Sequence, residues 1–167
     1  STNTALGVSA LTSNTTATYN TAVGYQAGYS NTTGTITALG YQAGYANTTG
    51  LYNLFAGYQA GYSNTTGNQS VFLGNSAGYY FTTGTYNTGV GSSALQGSSG
   101  ASNGSYNTAV GNGAGFSMTS GNYNSALGVQ ALNSNTTASY NTAVGYQAGY
   151  SNTTGNLTVF GYRSLYN

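Results

Sequence analysis

The side chains able to do chemistry in this chain are hydroxyls, amides and phenols. Tyrosine occurs 18 times in 167 residues, Arg163 is the sole charged side chain, and there is no Asp, Glu, His, Lys or Cys. A Ser, Thr or Tyr oxygen becomes a nucleophile only beside a base, and no carboxylate, imidazole or amine side chain exists to serve as one. Catalytic triads, paired carboxylates and Schiff-base lysines are therefore excluded. Metal sites built on Cys, His or carboxylate fall with the same inventory. One arginine cannot displace a phosphate counterion atmosphere, which removes nucleic acid as a partner. The expectation is a protein that is not an enzyme and carries no cofactor, working through hydrogen bonds and aromatic contact.

Candidate contact groups recur at fixed spacing. Tyrosines form three files: Tyr25, Tyr41, Tyr58, Tyr146 and Tyr162; Tyr29, Tyr45, Tyr62, Tyr79, Tyr150 and Tyr166; and Tyr19, Tyr52, Tyr86, Tyr106, Tyr123 and Tyr140. The structural reading is an aromatic ladder covering the fold and stacking between repeats. The functional reading is contact through exposed rings, with a sugar or another chain, and Tyr29, Tyr45, Tyr62, Tyr79 and Tyr150 are its candidates. Asn14, Asn31, Asn47, Asn64, Asn135 and Asn152 each open an Asn-Thr-Thr triplet, the acceptor pattern for N-glycosylation. A periodic turn that wants Asn would write the same triplet. The threonine rank that follows, Thr15, Thr32, Thr48, Thr65, Thr82, Thr119, Thr136 and Thr153, is similar to ice-binding ranks on flat β-solenoids. Against that, most of these Thr sit beside an Asn and near a Gly, in a turn-like setting. The glycine spacing gives no dinucleotide fingerprint, since no acidic ribose partner exists.

The elements that must position these groups are repeats of one motif. Residues 19–34 and 140–155 are identical over sixteen positions. Taking the glycine after each Val or Leu as anchor gives Gly7, Gly24, Gly40, Gly57, Gly74, Gly91, Gly111, Gly128, Gly145 and Gly161. Successive spacings are 17, 16, 17, 17, 17, 20, 17, 17 and 16, so the period is 17 with a three-residue insertion within 96–105. Ten anchors fill residues 1–167, leaving one repeat domain and no second one. A short fixed period tiling a chain signals a solenoid. Units this short, rich in Gly, Asn, Thr and Tyr, suit extended segments joined by bends rather than helix pairs. The fold class expected is all-β: a parallel β-solenoid of about ten coils with a 17-residue repeat. Coils about 4.8 Å apart would make a rod on the order of 50 Å long. No run approaches the ~20 apolar residues of a membrane helix, so no membrane insertion is expected.

Columns assign interior and surface. Ala10, Ala27, Ala43, Ala60, Ala77, Ala94, Ala114, Ala131 and Ala148, three residues after the anchors, read as a tight interior position. The residue before the anchor (Leu6, Val23, Leu39, Ala56, Leu73, Val90, Val110, Leu127, Val144, Phe160) reads as the main core stripe. Where it shrinks to Ala56 the preceding residue swells to Phe55, suggesting volume compensation. Strict alternation would place those two columns on opposite faces, and a second buried face shared with another chain would reconcile the two observations. Asn3, Asn20, Asn53, Asn87, Asn107, Asn124 and Asn141 form a ladder before each strand. The anchors and a later column, Gly34, Gly50, Gly67, Gly84, Gly121 and Gly155, read as corners with positive φ. Ala17, Ala101 and Ala138 stand in for Gly in that later column, where the corner should be less strictly left-handed. Arg163 caps or solvates the rod's end.

The segment 20–27, Asn-Thr-Ala-Val-Gly-Tyr-Gln-Ala, resembles the head repeats of trimeric autotransporter adhesins and the similar arrays of bacterial surface proteins and phage tail fibres. The resemblance spans essentially every repeat. It implies a left-handed parallel β-roll, often trimeric, serving as a stalk or adhesive head. Those heads commonly repeat every 14 residues or so, whereas this chain repeats every 17. The expected role is a non-catalytic structural subunit or segment of an extracellular fibre or surface appendage: a filament, an adhesin or a phage tail fibre. Its location would be extracellular, on a cell surface or on a virion surface. Its expected partner is itself, end to end or laterally, because neither terminal repeat carries the polar cap that solenoids use. Glycans are the second expected partner, and a glycan-binding or ice-binding module is the alternative role. Charge sparsity fits stacking, since one charge per coil would line up like charges well inside a Debye length of about 8 Å.

Overall fold

The computed structural model describes residues 2–100, 102–153 and 155–166. Ten strands follow one another: β1 (Thr4–Leu6), β2 (Thr21–Val23), β3 (Thr35–Leu39), β4 (Leu51–Ala56), β5 (Val71–Leu73), β6 (Thr88–Val90), β7 (Thr108–Val110), β8 (Ser125–Leu127), β9 (Thr142–Val144) and β10 (Thr158–Phe160). They form one parallel sheet in chain order, and the described residues contain no helix. The chain is a β-solenoid, and its register is column on column, as in Thr4↔Thr21, Ala5↔Ala22 and Leu6↔Val23.

Hydrogen bonding between coils continues past the strands. Between the second and third coils the Gly40 and Gln42 amides donate back to the Val23 and Tyr25 carbonyls (2.7 and 2.8 Å). The Gly28, Ser30 and Thr32 amides donate forward to Ala43, Tyr45 and Thr48 (2.9, 2.9 and 3.0 Å). The bend is a run of overlapping turns, Ala27 to Gly24, Tyr29 to Gln26 and Asn31 to Gly28. Left-handed backbone at Gln26 (φ 52°) and Gly28 (φ 59°) makes it. The anchor Gly24 (φ 135°) is the position that admits no side chain, because a Cβ there would lie 2.6 Å from the Gly40 carbonyl carbon. The later glycine column differs from the sequence reading. Gly34, Gly50, Gly67, Gly84, Gly121 and Gly155 do not have positive φ. At Gly34 a Cβ would instead press on the Gly50 carbonyl and the Asn31 and Asn47 side chains, so closeness, not handedness, selects glycine there. Ala17 and Ala138 fit that column with ordinary φ, and Ala101 lies outside the described residues.

The 16- and 17-residue coils differ by one bulge. Thr35 pairs with Leu51 but Ile36 pairs with Asn53, leaving Tyr52 (φ 60°) as the extra residue. Tyr19, Tyr86, Tyr106, Tyr123 and Tyr140 share that left-handed conformation in their own coils. The three-residue insertion is absorbed between β6 and β7, where Gly97 and Gly100 take positive φ.

The core stripe is one residue earlier than the sequence suggested. In β2 the burial reads half-buried, buried, half-buried, so Ala22 points inward and Val23 outward. Ala22, Ala38, Phe55, Phe72, Ala109, Ala126 and Ala143 line the interior, while Leu39 and Leu127 are exposed. A three-residue strand has one inward position, and its middle residue takes it. Phe55 therefore does not compensate Ala56, which faces the other way. It compensates Gly44 and Gly61: a Cβ on Gly44 would sit 2.6 Å from the Phe55 ring, and one on Gly61 would be closer still. The same logic holds along the rod. Gly78 faces Phe72, while Leu95 and Leu132 occupy the Gly44 column in coils whose middle strand residue is Gly89 or Ala126. Ile36, Phe55, Phe72, Phe81, Leu95, Met118 and Leu132 are the large buried side chains, spread so that neighbouring coils share the space around each. The alanine column is fully buried from Ala27 to Ala148, as read from the sequence.

Candidate functional site

Inside, the Asn ladder repairs the bulge. The bulge takes a backbone N–H out of the regular sheet ladder, and the preceding coil's Asn supplies an acceptor. Asn3 Oδ1 accepts from the Asn20 amide (2.9 Å), Asn20 Oδ1 from Ile36 (2.7 Å) and Asn107 Oδ1 from Asn124 (3.0 Å). In Asn3, Asn53, Asn87, Asn107 and Asn124 the amide nitrogen bonds a corner carbonyl, as Asn107 Nδ2 does to Gly121 (2.8 Å). An amide is the one side chain of this size with a donor and an acceptor at the required places.

The sequon asparagines are a second interior column. Asn31, Asn47, Asn64 and Asn135 are fully buried, and Asn14 and Asn152, in outer coils, are half-buried. Asn47 Nδ2 donates to Asn31 Oδ1 (2.8 Å) and to the Gly50 carbonyl (3.2 Å), and Asn135 Nδ2 donates to the Ala138 carbonyl (3.1 Å). The amide nitrogens of Asn31, Asn47, Asn135 and Asn152, the atoms a glycan would need, hold the turn in the folded rod, while those of Asn14 and Asn64 are buried without a partner. The following threonines spend their hydroxyls similarly: Thr32 and Thr48 Oγ1 donate to the Thr48 and Thr65 carbonyls (both 3.0 Å).

Outside, the tyrosines stack in the three files. Tyr25–Tyr41–Tyr58, Tyr29–Tyr45–Tyr62–Tyr79 and Tyr86–Tyr106–Tyr123–Tyr140 have centroids 4.8–5.3 Å apart, with near-parallel planes. The singled-out file of Tyr29, Tyr45, Tyr62, Tyr79 and Tyr150 is half-buried, and the other two files are the exposed ones. Burial and neighbouring phenols raise the Tyr62 and Tyr79 pKa above the ordinary tyrosine value. A glutamine ladder went unread in the sequence: Gln42 and Gln59 Nε2 donate to Gln26 and Gln42 Oε1 (2.8 and 2.9 Å). Its signal was the invariant step of two residues after the anchors Gly24, Gly40 and Gly57. Arg163 occupies that column in the last coil, its guanidinium 4.0 Å from the Tyr166 ring centroid.

No protein-family model matches the chain, and no curated protein or solved structure matches it significantly. Two surfaces stand out. The first is the outward side of the sheet, where Thr21, Thr37, Thr88, Thr108 and Thr142 alternate with Val23, Leu39, Val90, Val110 and Val144. The second is a notch of about 290 Å³ lined by Ser93, Asn112, Gly113, Phe116, Gln130 and Asn133. There Asn112 stands in the column of Tyr25, Gly113 in that of Gln26, and Phe116 and Asn133 in that of Tyr29. Gln130 Oε1 accepts from Gln147 (2.7 Å), but the next rung is Gly113, which has no side chain to continue the ladder. Among the described residues no cluster of His, Cys, Asp or Glu could hold a metal ion, and no helix is long and apolar enough to cross a membrane.

Proposed function

We propose that this chain is a non-catalytic structural rod, a segment of an extracellular fibre or surface appendage that assembles through stacked β-solenoid coils. One observation carries the reading: polar and aromatic side chains alike are spent on holding coil to coil. The buried Asn ladder, the Gln ladder, the Thr hydroxyls and the Tyr stacks all run along the rod axis. A surface with one charge adds no repulsion between rods. The Asn-Thr-Ala-Val-Gly-Tyr-Gln-Ala resemblance supports placing the rod in an adhesin head, a surface filament or a phage tail fibre. Electron microscopy of concentrated protein tests this: rods that elongate or bundle are expected, and dispersed single rods at every concentration would refute it.

The notch supports a second reading, a glycan-binding module. An exposed ring, Phe116, beside the neutral amides of Asn112, Gln130 and Asn133 suits a neutral saccharide, whose apolar face stacks and whose hydroxyls need donors and acceptors. A glycan array with the intact chain and with Phe116→Ala tests it: binding that the substitution abolishes is expected. The ice-binding version fits less well, because the Thr32 and Thr48 hydroxyls are already donated to carbonyls.

A further inference from the structure

We propose that the outward face of the ten-stranded sheet is a lateral interface that takes a second copy of this chain. The inference rests on the rod reading above and names the surface by which rods join. The face carries an aliphatic column next to the anchors, including Val23, Leu39, Leu73, Val90, Val110 and Leu127, reduced to Ala56 in one coil. Leu39 and Leu127 are 39% and 50% exposed, although the sequence keeps this position aliphatic in almost every coil. The interior does not need these side chains: the middle strand residue faces it, and where that residue is Gly89 or Ala126 the buried Leu95 or Leu132 fills the space. An aliphatic ladder that the fold leaves outside is what an intermolecular contact would use.

Periodicity chooses the occupant. The face repeats at the coil spacing, about 4.8 Å, along its whole length. Aliphatic ridges and threonine furrows at that pitch interdigitate only with a surface of the same pitch, as in dry cross-β interfaces between paired sheets. Another copy of this rod offers that pitch by construction. Area agrees. Ten strands at about 4.8 Å give ~48 Å, and the outward residues with their flanking tyrosines span about 20 Å of chain at ~3.3 Å per residue. The patch is then on the order of 900 Å² per partner, against the roughly 800 Å² of a standard stable interface. No charged side chain lies on it, because Arg163 is the only one and belongs to the bend.

Sedimentation velocity across a concentration series tests the proposal with the intact chain and two double variants. Val90→Lys with Val144→Lys puts two cations on the face, far enough apart to leave each ladder's stacking intact. Thr66→Lys with Thr137→Lys puts the same charge on exposed bend positions. The wild type should be dimeric or larger at tens of micromolar. The face variant should lose association by about 100-fold or more, since like charges meet across the paired rods, while the bend variant should match the wild type. Val90→Thr with Val144→Thr, which keeps β-branching, should weaken pairing without threatening the fold, as circular dichroism would verify. A wild type that stays monomeric, or a bend variant that dissociates as fully as the face variant, overturns the proposal. Fibres that lengthen at a constant single-rod cross-section overturn lateral pairing while the rod reading stands. A chain that neither pairs nor lengthens defeats both.

Discussion

Residues 19–34 and 140–155 are the same sixteen residues in two coils, and they differ only in their neighbours. Their backbones coincide: Gln26 and Gln147 have φ of 52° and 53°, Gly24 and Gly145 both 135°. Their burial does not. Asn31 is fully buried and accepts from Asn47, whereas Asn152 is half-buried and turns its Nδ2 to Asn141 (3.1 Å). Tyr29 lies within 8° of parallel to Tyr45, while Tyr150 is tilted 33° from Tyr166. Gly34 is buried and Gly155 exposed. The motif dictates conformation, and the adjacent coil dictates energy, as expected of a nearest-neighbour stack.

The strongest way to break this comparison is at the anchors, where the two copies should respond alike in kind and differently in reach. Gly24→Ala and Gly145→Ala each place a Cβ 2.6–2.7 Å from the next anchor's carbonyl carbon in a backbone region that side chains avoid. Each should cost about 4 kcal/mol at its coil junction, from overpacking and backbone strain together. Hydrogen exchange should show Gly145→Ala releasing β10 alone and Gly24→Ala releasing β1 and β2, with β3–β9 protected in both. Uniform loss of protection along the chain would mean that the rod unfolds as one unit.

The later glycines separate the copies. At Gly34 a Cβ would lie 2.5 Å from both Asn31 Oδ1 and Asn47 Nδ2; at Gly155 its nearest contact is Asn152 Oδ1 at 3.4 Å. Gly34→Ala should cost about 2 kcal/mol in urea denaturation and Gly155→Ala under ~0.5 kcal/mol. Equal costs would show that the Gly50 carbonyl and the Asn31 and Asn47 side chains all give way freely.

Much of this architecture was legible in the sequence and some of it was not, for reasons that the residues make plain. The period, the parallel register and the buried alanines follow from column identity alone. Hydrophobicity alone misplaces the core stripe: Val23 is more apolar than Ala22, yet the tight coil turns Ala22 inward. Glycine in the Gly34 column suggests positive φ, though clash with the Gly50 carbonyl and the Asn31 and Asn47 side chains explains it. The left-handed residues are instead tyrosines, glutamines and leucines such as Tyr19, Gln26 and Leu132, types that carry no such signature. The notch around Phe116 needed three columns to fail at one height, visible only once the columns were stacked.

The two copies of the Asn ladder offer a subtler contrast. Asn141 Oδ1 accepts from Leu157 N (2.8 Å) and Asn152 Nδ2 (3.1 Å), and its Nδ2 donates to Asn124 (2.8 Å). Asn20 Oδ1 accepts from Ile36 (2.7 Å), but its Nδ2 is buried without a partner. Asn141→Ala should cost about 2 kcal/mol and Asn20→Ala about 1 kcal/mol, because the second substitution also removes an unsatisfied donor. Thermal denaturation of the two variants side by side would read the difference, and the reverse order would show that the Asn20 amide is satisfied in solution.

The smallest effect concerns the Tyr29 file, continuous through Tyr79 in the first half and reduced to Tyr150 and Tyr166 in the second. Tyr62 and Tyr79 have pKa values raised first by burial and then by neighbouring phenols, Tyr45 and Tyr62 respectively. In the unfolded chain a tyrosine ionises near pH ~10. Above that pH the folded state holds more protons than the unfolded state, so stability falls as pH rises through the folded values. Below it the two states are equally protonated at these sites and the contribution is complete. Each phenolate formed in the ladder would face another about 5 Å away, and the penalty grows with every rung ionised. Raising the pH from neutrality past ~10 should therefore lower the melting temperature. Tyr62→Phe with Tyr79→Phe should blunt that fall by removing the two most shifted groups, with little change at neutral pH. Phenolate absorbance should show a late-titrating fraction in the wild type that the double variant lacks. If the variant's melting temperature falls with pH as steeply as the wild type's, the alkaline sensitivity does not arise from Tyr62 and Tyr79.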